Sequence, residues 1–238
     1  AVTTADFNQD GNPDFATANN ISNNISVHLR TDNTFASTRF GTGTNPGSIA
    51  AGDFNQDGNP DIVTANYTGD DISLLLGDGT GKFGAATAFD LGAAELPGGI
   101  VVADFNQDGN PDVATANLDT FNISVLLGNG AGSFGAATNF TAGSQPGPIA
   151  TADLNQDGNL DIVTGNLGAN EVAVLLGNGA GGFAAPTAFS SGGLKPTSLA
   201  TADFNKDGFS DVVVAHELSN TVTLMYGDGA GNLGAGIS

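Results

Sequence analysis

Five nine-residue segments of this chain put oxygen donors at alternating positions. They are Asp6-Asn8-Asp10-Asn12-Asp14, Asp53-Asn55-Asp57-Asn59-Asp61, Asp104-Asn106-Asp108-Asn110-Asp112, Asp153-Asn155-Asp157-Asn159-Asp161 and Asp203-Asn205-Asp207-Phe209-Asp211, counting positions 1, 3, 5, 7 and 9. Carboxylates stand at 1, 5 and 9, an amide at 3, and a glycine at 6 allows a sharp turn. Position 7 offers its backbone carbonyl, so Phe209 serves there as well as an asparagine. A hard cation such as Ca²⁺ takes six to eight oxygens at this kind of spacing. Thr64 stands where a helix-loop-helix calcium loop carries its twelfth-position Glu, so the ninth Asp is expected to close the site. The positions with no side-chain ligand drift, Gln56 becoming Lys206 and Pro60 becoming Leu160 or Ser210. A metal-free Asx turn would also use Asp, Asn and Gly. Five copies that keep the donors and vary elsewhere favour the metal.

The segments recur at intervals of 47, 51, 49 and 50 residues. Each is followed by two apolar runs (residues 61–66 and 72–76 in the second copy), a glycine turn (77–81) and a Phe-containing stretch (82–89). Short runs rich in Val, Ile, Thr and Phe, bounded by Gly, Asn and Asp, read as strands. Apolar residues on both faces, as at Ile72, Leu74, Leu75 and Leu76, predict a sheet with a layer above and below. Four strands per unit of 40 to 50 residues predict an all-β propeller with five four-stranded blades. The blades are expected near 1–44, 45–93, 94–143, 144–193 and 194–238, filling a single repeat domain. A closed five-bladed ring is the first expectation and an arc of a larger ring the second.

Composition sets limits. Of 238 residues, 25 are acidic and 5 basic, for a net charge of −20, and 15 of the acids lie in the five loops. Five bound Ca²⁺ would halve that charge. So few cations exclude a groove for nucleic acid and disfavour an anionic membrane surface. No apolar run approaches a membrane-spanning length. Cysteine is absent, and glycine, at 36 residues, is about twice as frequent as usual. The missing initiator Met suggests a processed or excised product.

The loop motif between strands, followed by Phe83-Gly84-Ala85-Ala86, Phe134-Gly135-Ala136-Ala137 and Phe183-Ala184-Ala185-Pro186, resembles the FG-GAP/VCBS repeat. That family includes the integrin α-chain propeller, many secreted bacterial proteins and fungal lectins. The resemblance spans essentially the whole chain. It implies a propeller whose calcium loops join the first and second strands of each blade on one face, with roles in adhesion, ligand or carbohydrate binding and usually no catalysis. The best-known members have seven blades, where this chain has five repeats.

Other motifs carry less. Gly79-x-Gly81-x-x-Gly84 matches a dinucleotide fingerprint, but no helix follows and it recurs with the repeats, so it reads as a hairpin turn. Two histidines and no nucleophile elbow argue against nucleophilic catalysis. The terminal repeats break pattern. His28 and Arg30 stand where other repeats have Leu and Gly, and His216, with Glu217 after it, stands where others have Asn. These four residues are expected at a closure seam, a ligand site or a subunit contact. Asn19, Asn66, Asn117 and Asn166 end the second strand and could turn the chain or meet sugar hydroxyls.

The sequence therefore predicts a non-catalytic, calcium-binding extracellular module, secreted or at the cell surface, for adhesion or for a protein or glycan ligand. One alternative is a structural subunit of an extracellular fibre or matrix that pairs with copies of itself. The other is an accessory domain of a larger secreted enzyme.

Overall fold

The computed structural model describes residues 1–32, 34–92 and 95–237. Within them are nineteen strands and no helix. Blade 1 contains β1 (Val2–Ala5), β2 (Asp14–Asn19), β3 (Asn24–Thr31) and β4 (Thr34–Gly41). Blade 2 contains β5 (Pro46–Gly52), β6 (Asp61–Asn66), β7 (Asp71–Leu75) and β8 (Thr87–Asp90). Blade 3 contains β9 (Pro97–Ala103), β10 (Asp112–Asn117), β11 (Asn122–Leu126) and β12 (Thr138–Thr141). Blade 4 contains β13 (Pro146–Ala152), β14 (Asp161–Asn166), β15 (Glu171–Leu175) and β16 (Thr187–Ser190). Blade 5 contains β17 (Pro196–Ala202), β18 (Asp211–His216) and β19 (Thr221–Met225), with the bridge Leu224–Ile237 in place of a fourth strand.

Each sheet is an antiparallel meander in chain order. The second and third strands are short and β-branched, and in blades 2 to 4 the second strand is buried throughout. Such a strand needs a neighbour on both faces, and the next blade supplies it. The core is accordingly divided into four apolar clusters, one between each consecutive pair of blades. Among the described residues no such cluster joins blade 5 to blade 1.

Register shows which residues share a face. Ala51, Ile62 and Leu75 of blade 2 lie opposite one another and pack with Phe7, Ala16, Ile25 and Val27 of blade 1. The opposite face of blade 2, with Val63, Ala65, Ile72 and Leu74, packs against blade 3. The second residue of each Asp-rich loop is the wedge between blades. Phe7, Phe54, Phe105 and Leu154 are at most 3% exposed, whereas Phe204 is 47% exposed. Phe7, Phe54 and Phe105 each meet the aromatic ring of the following blade edge-on, at Phe83, Phe134 and Phe183, with centroids 5.3 to 5.6 Å apart.

Candidate calcium loops and the axial hollow

All five loops join the first and second strands of their blades, so they lie at one end of the propeller. Their internal hydrogen bonds repeat. Asp53 accepts from the Asp57 N–H at 3.1 Å and the Gly58 N–H at 2.9 Å. Asn55 donates its amide to Asp57 at 2.9 Å, and Asp57 accepts from the Asn59 N–H at 2.8 Å. The same bonds form around Asp6, Asp104, Asp153 and Asp203. The chain curls because position 4 is left-handed (Gln56, φ 56°) and so is position 6 (Gly58, φ 84°). The second of these is glycine in every copy, as a left-handed backbone favours.

The ninth Asp does something the spacing does not show. Asp61 is fully buried, and its two oxygens accept the backbone N–H groups of Phe54 and Gly77, both at 2.8 Å. Asp14, Asp112, Asp161 and Asp211 do the same, the partner of Asp14 being the N–H of Arg30. This carboxylate ties the loop to the turn after the third strand, so it braces the blade before any ion is considered. Each oxygen keeps a second lone pair. Burial pushes the carboxyl groups of Asp61, Asp112 and Asp161 above the ordinary 3.8, against the two N–H bonds that oppose it. The fifth-position acids Asp10, Asp57, Asp108 and Asp157 move below 3.8, chiefly through the N–H bond from the seventh residue.

The donor set of each loop is all oxygen and suits a hard divalent cation by chemistry. The carboxylates are turned to backbone N–H groups, and among the described residues no three His, Asp or Glu side chains gather as a ready cluster. The residues that would hold the ion are those at positions 1, 3, 5, 7 and 9.

Position 4 has a role that spacing alone did not reveal. Gln9 donates to the Gly58 carbonyl at 2.8 Å and the Asn59 side chain at 2.9 Å in the next loop. Gln56 and Gln107 reach the following loops in the same way, and Gln156 reaches the Gly208 carbonyl. Beside each clasp, a glycine N–H of the following blade donates to the wedge residue, as Gly81 does to the Phe7 carbonyl at 2.9 Å. The available signal was that glutamine holds four loops and fails only in the fifth.

The four odd residues of the terminal repeats do not converge. His28 lies on the face of blade 1 turned away from blade 2, stacked on Phe15 with centroids 4.3 Å apart. Arg30 shares that face. His216 is buried on the opposite side of its own blade, toward blade 4, with no partner for either ring nitrogen. Glu217 is exposed and pairs with Lys195 at 2.8 Å. Asn66, Asn117 and Asn166 are buried and committed to internal bonds, such as Asn66 to Ser73 at 2.8 Å, which removes them from any sugar-binding surface.

At the end opposite the loops, the inner strands surround a hollow of about 640 Å³ lined by Tyr67, Leu118, Leu167 and the glycines beneath them. Glycine is required at Gly99, where a Cβ would run into the backbone carbonyl of Gly147 on the neighbouring inner strand. Glu217 occupies in blade 5 the position that Tyr67, Leu118 and Leu167 hold in blades 2 to 4, each donating its N–H to the loop before the inner strand.

Five blades, each with an Asp-rich loop between its first and second strands, define a repeat-built β-propeller. The FG-GAP-like repeat family matches residues 6–64, 53–115, 104–164 and 161–214, and the FG-GAP repeat family matches 196–234. The chain belongs to the FG-GAP repeat family. No curated protein is matched by its sequence. Among solved structures it is similar to a putative 6-phosphogluconolactonase from Bacteroides uniformis (17% identity, TM-score 0.74, 97% of this chain and 67% of that one). It is also similar to the periplasmic gluconolactonase of Pseudomonas aeruginosa (15%, 0.71, 98% and 68%), and to BBS1N in complex with ARL6DN (16%, 0.67, 99% and 67%). At these identities the likeness is one of fold. The chain spans about two thirds of the length of each.

Proposed function

We propose that this chain is a non-catalytic binding module, secreted or displayed at the cell surface, whose five loops take Ca²⁺ and whose blades present a protein or glycan ligand site. The observation that carries the reading is the fivefold repetition of one oxygen-donor loop with one internal hydrogen-bond pattern, at one end of the fold. Three carboxylates in each loop repel one another without a cation, so Ca²⁺ would stabilise the folded state by mass action. Modules of this kind work at about 10⁻⁴ to 10⁻³ M Ca²⁺, a concentration found outside cells. The axial hollow, lined by Tyr67, Leu118 and Leu167 and by no charged side chain, is the natural place for an uncharged ligand group.

Calorimetric titration with Ca²⁺, paired with thermal unfolding in calcium and in chelator, tests the metal. About five ions per chain and a higher midpoint in calcium are expected. No heat at millimolar Ca²⁺ and identical midpoints would end the reading. A glycan array probed in calcium tests the carbohydrate ligand separately.

A further inference from the structure

Four of the five Asp-rich loops carry glutamine at the fourth position, and each of these side chains leaves its own loop. Gln9 donates its amide to two acceptors in the loop of blade 2, the Gly58 carbonyl at 2.8 Å and the Asn59 side chain at 2.9 Å. Gln56 makes the same pair of bonds to Gly109 at 3.1 Å and Asn110 at 2.7 Å, and Gln107 to Gly158 at 3.1 Å and Asn159 at 2.9 Å. Gln156 reaches the Gly208 carbonyl at 2.9 Å, but Phe209 has no side-chain acceptor to complete the pair. The direction is constant. Position 4 of one loop grips positions 6 and 7 of the next.

The contact is built from both sides. The four glutamines have a left-handed backbone, with φ from 55° to 58°, a conformation that asparagine and aspartate adopt more readily. The turn alone would be served better by a shorter side chain, and only a longer one spans the gap to the next loop. On the receiving side Gly79 lies over the clasp, where a Cβ would strike the Asn59 side-chain oxygen, and Gly130 and Gly179 lie against Asn110 and Asn159 in the same way.

What the clasp holds is the seventh position. Its backbone carbonyl is the one main-chain donor expected in each loop, and a carbonyl is aimed only by fixing the peptide units around it. Gln9 fixes the carbonyl just before Asn59 and the side chain of Asn59 itself. The Asn59 amide bonds onward to Asp57, the fifth-position donor. Asn110 and Asn159 continue to Asp108 and Asp157. Two donors of each of these loops therefore hang on a side chain of the preceding blade.

We propose that the fourth-position glutamine is a positioning residue for the next loop, so that Gln9, Gln56 and Gln107 set the calcium affinity of the loops of blades 2, 3 and 4. This rests on the reading of the loops as calcium sites. The glutamine is not a ligand. It holds in place a carbonyl and a carboxylate that are, as outer-shell partners do in other metal sites. Ordering the seventh residue beforehand removes that cost from binding.

Nuclear magnetic resonance during a Ca²⁺ titration reads the loops one by one, through the backbone amides of Gly58, Gly109, Gly158 and Gly208. Gln56→Met keeps the length of the side chain and removes the donor. Gln56 is exposed, and circular dichroism in chelator checks that the variant is folded. Half-saturation at Gly109 is expected to need about tenfold more calcium, while Gly58, in the substituted loop itself, is unchanged. Phe209→Asn supplies the acceptor that Gln156 lacks, so half-saturation at Gly208 is expected at several-fold lower calcium. That gain should be absent when Phe209→Asn is combined with Gln156→Met. In Gln56→Met, a shift at both Gly58 and Gly109, or at neither, would overturn the inference, as would a Phe209→Asn gain that survives the loss of Gln156. A wild-type chain with no calcium response at any loop would instead remove the calcium reading, and this inference with it.

Discussion

One residue type serves two purposes in each loop. The spacing of Asp53, Asp57 and Asp61 is a ligand pattern, and the structure shows the third of these also holding two buried backbone N–H groups. Sequence could not separate the roles, because both require a carboxylate. Asp71 shows the cost of a carboxylate where neither role applies. Burial raises its pKa above 3.8 despite the bond from Asn66, and Asp90 and Asp70 push in the same direction. Blade 3 has Asn122 at this position, accepting from Asn117 at 2.7 Å. A raised carboxyl binds more protons folded than unfolded above 3.8, so its stabilising effect is complete below that value and is lost as pH rises through the folded pKa. Asp71→Asn is therefore expected to raise the unfolding temperature at pH 7 by about 2 °C, the scale of a sub-kilocalorie gain in a chain of this size. The gain should vanish below pH 3.8. A midpoint lowered at pH 7 would show that the charge, not the amide, is favoured there.

At the scale of the element, the strands, the turns and the identity of the blades were legible in the sequence because each answers to local chemistry. Glycine at the sixth loop position, β-branched runs and Asn or Asp at the turns all act within one repeat. What was not legible acts between repeats. The glutamine clasp joins residues about fifty apart, so Gln56 looked like a free position. The wedge at the second loop position likewise finds its partner in the next blade, as Phe54 does in Phe134. Its worth depends on the interface it enters. Phe54→Ala removes a buried ring packed on Phe134 and is expected to cost about 3–5 kcal/mol. Phe204→Ala, at the same position in blade 5 but 47% exposed, is expected to cost under about 1 kcal/mol in the monomer. Urea unfolding of the two variants at low protein concentration checks the contrast. Equal losses would mean that the last wedge is covered after all.

For the whole molecule, stability follows from counting interfaces. Each blade touches only its neighbours, so the fold behaves as a short one-dimensional array in which a blade is held by its own hydrogen bonds and by the interfaces on its two faces. Blades 2, 3 and 4 have two such clusters, and blades 1 and 5 have one. Blade 1 compensates with the eight-residue β3–β4 pair, the longest ladder in the protein. Blade 5 has three strands, with the bridge Leu224–Ile237 in place of the fourth. Amide exchange should therefore be graded. The amides of β6, β10 and β14, buried along their whole length, should open only with global unfolding, while those of β18 and β19 open locally and exchange first. Hydrogen-exchange mass spectrometry on dilute monomer reads this gradient directly. Protection that is uniform across the five blades at dilution would mean the terminal blades are already joined within one chain. The array would then be a closed ring.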